Sequence, residues 1–272
     1  MESPKVLNQP ATPILIFFLT ISLMFSVSGA VPYDYMQYVV QWQPAVCSNP
    51  LSYKRCTKLA NQSFTIHGLW PSNYNGASVT QQGGQAFDIN ELSPIKPQLD
   101  KCWPSMFREN DEFWRQEWST HGTYSLNYGF SSQLEYFDQA VELCNSYNDW
   151  IGDILKTNGI NPSDSTPVKS TDIADAIYYN FSKSPALRCS KRDGSVDGRK
   201  NLLEVVLCFN VNGEDMVDCP RAISACPSYI YFLSSATESS APPSSATGSS
   251  ATDTFQSALS WALAALLLHV AI

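Results

Sequence analysis

FTIHGLWPSNYNG, residues 64 to 76, opens as an apolar alternation and closes on a Gly-Leu-Trp-Pro corner. Side chains in a strand alternate between its two faces. A strand over Ser63–His67 therefore turns Phe64 and Ile66 to one side and Thr65 and His67 to the other. That aims one of the chain's three histidines away from the core its neighbours build. Tyr38–Trp42 (YVVQW), rich in β-branched and aromatic residues and stopped by Pro44, is another strand.

FWRQEWSTHG, residues 113 to 122, has a different period. Asp111 as N-cap and Gly122 as the C′ residue bracket a helix over Glu112–His121. Phe113, Glu117 and His121 then share one stripe, with Thr120 beside it. A second helix lies between Ser132 and Tyr147, with Leu134, Phe137, Val141 and Cys144 at apolar spacing. A third runs from Asp172 to Phe181 behind a Ser170 or Thr171 cap. Leu202–Phe209 reads as a buried strand and Tyr229–Leu233 as the last one. Strands and helices are interspersed without a regular βαβ rhythm, which predicts an α+β fold. There is no internal repeat and no Gly-rich phosphate loop.

Both ends look like processing signals. Lys5, the apolar run Ile14–Val27 and the small residues Ser28-Gly29-Ala30 form a signal peptide over residues 1–30. Residues 234–257 are almost all Ser, Ala, Thr, Pro and Gly, and the apolar tail 258–272 is short for a membrane span. Small residues, a polar spacer and such a tail match a signal for glycolipid (GPI) anchoring. The expected product is one domain over residues 31–233, secreted and attached to the outer face of the plasma membrane. Eight cysteines in a secreted chain, none at CxxC spacing, favour disulfides over metal ligands. Asn61-Gln62-Ser63 and Asn180-Phe181-Ser182 are glycosylation sequons. A net charge of −8 excludes a generic polyanion binder, so any nucleic acid has to be held at a small local site.

Two histidines and a carboxylate suffice to cleave RNA without a metal. One group removes the 2′-hydroxyl proton, one protonates the departing 5′-oxygen, and the third stabilises the phosphorane between them. Imidazole suits both proton transfers because its pKa lies near working pH. His67 and His121 supply the pair, and His269 lies in the tail. The carbonyl end of the helix and the Glu117 carboxylate one turn earlier predict an upward shift of the His121 pKa. Trp70 and Tyr74 offer aromatic faces for stacking bases.

IHGLWP (66–71) together with FWRQEWSTHGT (113–123) resembles the two active-site segments of the ribonuclease T2 family. The resemblance extends from Tyr35 to Cys226. QWQPAVC (41–47) and the segments from ALRC (186–189) through VDCP (217–220) look most like the plant self-incompatibility ribonucleases and their S-like relatives. It implies a mostly antiparallel sheet flanked by helices, and an endoribonuclease acting on single-stranded RNA. The implied reaction is transesterification to a 2′,3′-cyclic phosphate followed by slow hydrolysis, with no metal, no cofactor and a monomeric protein. His67 carries over as general acid, His121 as general base and Glu117 as transition-state partner, with Trp70, Tyr74, Gln116 and Thr120 at the substrate. It also pairs Cys189 with Cys226, Cys208 with Cys219 and Cys47 with Cys56, leaving Cys102 for Cys144.

The chain departs from this pattern at three positions. Gln116 stands where a His or another variable polar residue is usual, Thr120 where a Lys is usual, and Tyr124 where a Cys is usual. The partner cysteine expected between Gly76 and Leu92 is absent too, so one bridge is lost as a whole. A lysine beside the phosphorane contributes several kcal/mol to lowering the barrier, and its loss predicts activity reduced by orders of magnitude. The rival expectation is a catalytically weak or silent ribonuclease-like protein of the cell surface or of self-incompatibility recognition.

Overall fold

The computed structural model describes residues 32–48, 56–57, 61–77, 79, 84–190 and 200–236. The chain divides into two units, Met1–Glu238 and Ser239–Ile272, and every described residue belongs to the first. The signal peptide, all but the first residues of the linker, and the apolar tail lie outside the described residues.

Five strands form one antiparallel sheet in the order β2-β1-β5-β4, with β6 also on β5. They are β1 (Tyr35–Trp42), β2 (Phe64–Ser72), β4 (Ala186–Cys189), β5 (Leu202–Phe209) and β6 (Met216–Val217). β3 (Val168–Lys169) and β7 (Tyr229–Ile230) pair separately. The fold is α+β, as the sequence predicts.

The two central strands, β1 and β5, are buried along nearly their whole length because both faces are covered. Tyr38, Val40, Val205 and Leu207 enter the main core with Tyr136, Phe137 and Ala140 of the long helix. The opposite face carries a smaller cluster, Tyr35, Val39, Ala186, Val206, Cys208 and Cys219. Set among these apolar groups are the buried polar residues Gln37, Gln41, Thr65 and Glu204. A polar row on one face of an otherwise apolar sheet is costly unless it is hydrogen-bonded.

β2 continues five residues beyond the expected Ser63–His67 segment, through Gly68 and the Leu-Trp-Pro corner to Ser72. Val40 pairs with Ile66 and Val39 with Gly68, so His67 is the extra residue of a β-bulge. The bulge resets the alternation, and Leu69 rejoins Phe64 and Ile66 in the core. β2 is the edge of the sheet, and side chains take up its carbonyls. Trp103 Nε1 donates to His67 O at 2.9 Å, and Tyr136 OH to Leu69 O at 2.7 Å. Covering edge carbonyls in this way blunts the strand against pairing with another chain.

The helices are α1 (Gln43–Cys47), α2 (Lys96–Cys102), α3 (Asn110–Thr120), α4 (Gln133–Thr157) and α5 (Ser170–Phe181). Pro44 both stops β1 and sits in the first turn of α1, where its missing N–H costs nothing. α3 begins earlier than expected: Glu109 is the N-cap, and Asp111 lies inside the first turn. Gly122 is no left-handed C′ residue. It starts a 3-10 turn, Gly122–Ser125, and a Cβ there would collide with the Trp118 ring. α4 is capped by Ser132, whose hydroxyl accepts from Glu135 N–H, but it runs ten residues past Tyr147 because Ile151, Ile154 and Leu155 continue the buried stripe. α5 starts at Ser170 with Lys169 as N-cap, and no Ser or Thr side chain caps it. The final strand stops at Ile230, though Phe232 and Leu233 are still buried, with Leu233 O accepting from Trp42 Nε1 at 2.7 Å.

The disulfides join Cys47 to Cys56, Cys102 of α2 to Cys144 of α4, Cys189 to Cys226 and Cys208 to Cys219. Packing and hydrogen bonds hold the segment around Tyr124 against the 84–88 loop. Trp118 Nε1 donates to Gln85 O at 2.7 Å, and Gly84 leaves room for Thr123 to close on the backbone. The fully buried Gln133 grips Asp88 twice, donating to its carbonyl at 2.7 Å and accepting from its N–H at 3.0 Å. Gln133→Ala is expected to lower unfolding stability by about 2 kcal/mol through two lost bonds and a small cavity, measured by urea denaturation with the disulfides intact.

Candidate active site

α3 and β2 meet at one indole. Trp70, on β2 beyond the bulge, donates from Nε1 to Oε2 of Glu117 at 2.9 Å. Its ring stacks on His121 at 4.9 Å and 28°, and meets His67 edge-on at 5.0 Å and 75°. The Arg188 guanidinium lies over the same ring at 5.2 Å. From α3, Phe113 stacks near His67 at 6.2 Å. The stripe Phe113, Glu117, His121 thus faces β2, as its four-residue spacing predicts.

Gly68 makes this approach possible. A Cβ at that position would overlap Trp70 Nε1 and come within 2.5 Å of Glu117 Oε2. The bulge carries His67 out of the ladder, while Trp103 pins its carbonyl.

Beneath His67 lies a carboxylate that the sequence reading overlooked. Glu204 Oε1 is 2.5 Å from His67 Nδ1, and Oε2 accepts from Arg188 Nη1 at 3.2 Å. Arg188 Nη2 also donates to Gln37 Oε1. Arg188, Glu204, Gln41 and Thr65 are register partners across four strands. The available signal was Glu204 itself, a lone charge within LLEVVLCF.

The two imidazoles are driven apart electrostatically. Burial alone would lower the His67 pKa, but the charge and hydrogen bond of Glu204, aided by Glu117, outweigh it and hold the pKa above the ordinary 6.5. Burial presses Glu204 upward, yet His67 and Arg188 hold it below the usual carboxylate value. Glu117, only 3% exposed, is raised chiefly by burial despite the nearby His67 charge and the Trp70 bond. His121 is pushed down to about 4, by desolvation first and then by the His67 charge. This reverses the expected upward shift. The Glu117 carboxylate is engaged with Trp70, and the His121 ring is desolvated against the indole, so neither the helix end nor the acid wins.

Gln116 and Thr120 are exposed on α3 beside Glu117 and His121. Tyr74 stacks on Tyr35 at 4.7 Å and is still 55% exposed. Tyr35 in turn accepts from Gln37 Nε2 at 3.1 Å, which links that aromatic pair to Arg188. Among the described residues no three His, Cys, Asp or Glu side chains gather as a metal-ligand set.

The sequence profile of the Ribonuclease T2 family matches residues 33–219, which include both the β2 and the α3 segments. The chain belongs to the ribonuclease T2 family. Ribonuclease MC of Momordica charantia is 37% identical over 191 residues, covering 70% of this chain and 95% of that protein. Ribonuclease DdI of Dictyostelium discoideum is 31% identical over 205 residues, covering 75% and 86%. The solved structure of ribonuclease MC1 from bitter gourd seeds matches with a TM-score of 0.66 at 35% identity, over 74% of this chain and 100% of that one. A mutant of MC1 has been solved in complex with 5′-GMP, at a TM-score of 0.65 and 36% identity over 73% of this chain and 100% of that one. By sequence and fold this chain is a T2-family ribonuclease.

Replacing Gly68 with Ala should expel the Trp70 indole and break its bond to Glu117. The expected cost is about 1 to 3 kcal/mol of stability, read by thermal unfolding, with a changed near-ultraviolet tryptophan signal in the folded protein.

Proposed function

We propose that this protein is an exported endoribonuclease that cleaves single-stranded RNA by acid–base transesterification. The observation that carries the reading is the pair of imidazoles held within 5.0 Å of one indole and shifted in opposite directions. Two titratable groups pushed apart by their environments are the mark of an assigned acid and base.

In mildly acidic solution His121 is neutral and His67 carries a proton. His121 removes the 2′-hydroxyl proton of RNA, the 2′-oxygen bonds to phosphorus, and the bond from phosphorus to the 5′-oxygen breaks. His67 delivers its proton to that oxygen, leaving a 2′,3′-cyclic phosphate and a free 5′-hydroxyl. Water then opens the cyclic ester with the two roles exchanged. Glu117, held by the Trp70 indole, is the transition-state partner at the phosphorane. Trp70 is the hub that spaces these groups, and its indole also borders the bound base. Tyr74, the more exposed ring, stacks a base, while Gln116 and Thr120 meet the RNA from α3.

The proposal extends to the ends of the chain. Residues 1–30 direct export and the tail directs attachment to a glycolipid. Four disulfides fit an oxidising compartment. Asn61 and Asn180 are exposed for glycan transfer. The domain acts as a monomer.

The second reading, a catalytically silent recognition protein, has one specific support: the uncharged Thr120, exposed beside His121. Thr120→Lys separates the two. A weakened enzyme gains roughly tenfold or more in kcat/KM from a positioned charge, and a silent binder gains nothing.

The rate profile follows from the two shifts. kcat/KM should rise as His121 loses its proton near pH 4 and fall as His67 loses its own above pH 6.5, giving an acidic optimum in the presence of EDTA. His121→Ala should cost on the order of 10²- to 10⁴-fold. RNA left intact by the wild-type protein across pH 4 to 7 would sink the reading.

A further inference from the structure

Glu204 is the one acid in an apolar strand, and its side chain is only 8% exposed. A buried carboxylate of this kind is a poor device for stability, since apolar residues of similar volume serve the fold as well or better. Its geometry is specific. β1 lies between β2 and β5, so an ordinary β2 side chain would not reach Glu204. His67 reaches it as the extra residue of the bulge, which swings the ring across β1 until Nδ1 meets Oε1 at 2.5 Å. The other oxygen is held at 3.2 Å by Arg188, itself tied to Gln37.

We propose that Glu204, braced by Arg188, is a positioning residue for His67: by accepting the Nδ1–H bond it leaves Nε2 as the nitrogen that exchanges a proton with RNA. This rests on the nuclease reading and deepens it. During cleavage the Nε2 proton passes to the 5′-oxygen as the phosphorus–oxygen bond breaks. The Nδ1 proton stays on the ring, and Glu204 is never protonated. The bond also fixes the ring plane between Trp70 and Phe113.

Four charged or titratable groups bear on His67: Glu204 from β5, Glu117 from α3, Arg188 from β4 and His121 at the end of α3. Two substitutions therefore have opposite signs. Glu204→Gln keeps the shape but leaves Arg188 unopposed, so His67 gives up its proton at lower pH. Arg188→Gln removes the opposing cation, so His67 holds its proton to higher pH. A merely structural role would not produce that reversal.

The test is an NMR titration of the His67 ring in wild type and both variants, with long-range proton–nitrogen spectra to show which nitrogen keeps the proton in the neutral ring, alongside kcat and KM on RNA. The expected result is a downward shift of about one pH unit or more in Glu204→Gln, an upward shift in Arg188→Gln, and Nδ1–H in neutral wild type. Near pH 6.5 kcat should fall on the order of 10²-fold in Glu204→Gln with KM little changed. Unchanged His67 titration in a folded Glu204→Gln protein, or a proton on Nε2 of the neutral wild-type ring, overturns the proposal. If Glu204→Gln does not fold, the double variant with Arg188→Gln strands no buried charge. Its His67 should titrate below that of Arg188→Gln alone, and failure of the double variant to fold assigns the pair to the scaffold and overturns the proposal. Intact RNA with the expected titrations would remove the nuclease reading and leave the ring's orientation standing.

Discussion

The hydrogen bond from Trp70 Nε1 to Glu117 Oε2 ties the edge strand to the helix, and the candidate site hangs on it. It requires that strand and helix approach closely, which Gly68 allows by having no side chain. It requires the edge strand to stay in place, which Trp103 and Tyr136 secure through the carbonyls of His67 and Leu69. Both anchors are fully buried in the main core. The position of each imidazole is therefore set by packed aromatic residues, whose few torsions lose little entropy on ordering and whose bulk resists displacement. A site built on such elements holds its geometry better than one carried on loops.

The same sheet serves two purposes on its two faces. One is apolar and makes the core. The other interrupts its apolar cluster with Gln37, Gln41, Thr65 and Glu204. Burying charge there is tolerable because each oxygen of Glu204 has a cationic partner and Arg188 is anchored again by Gln37. Cross-links sit near this face. Cys208 and Cys219 join β5 to the chain after β6, and Cys189 ends the strand that carries Arg188. Such bridges limit the unfolded ensemble and help offset what the polar row costs.

Much of this was legible in the sequence. The alternation in FTIH and the stripe Phe113, Glu117, His121 depend only on local periodicity, so they survive without knowledge of partners. The bulge does not, because an extra residue in β2 is defined only against the register of β1. The length of α4 was hidden by the polar residues Asn145, Ser146, Asn148 and Asp149, although Ile151, Ile154 and Leu155 restore the stripe beyond them. Glu204 lies 137 residues from His67, and nothing local connects them. The direction of the His121 shift failed for a related reason. Sequence places Glu117 one turn away, but only the fold shows that the His121 ring is desolvated, the largest cause of its downward shift, and that His67 adds its charge nearby.

The uncharged Thr120 and the burial of Glu204 belong to one electrostatic problem. A cation at the exposed end of α3 would stand near the phosphorane and would also oppose the charge on His67. With Thr120 in its place, that opposition is absent, and the Glu204 contact raises the His67 pKa against burial and Arg188 alone. On the proposed reaction, the charge delivered to the phosphate region then comes from the acid itself. The proton on His67 does double duty, stabilising the phosphorane before it moves to the leaving oxygen. On that reading the site relies on a charge that persists only while His67 is protonated. The proposed reaction then calls for acidic surroundings, because in it the charge that lowers the barrier and the proton that completes the reaction are the same.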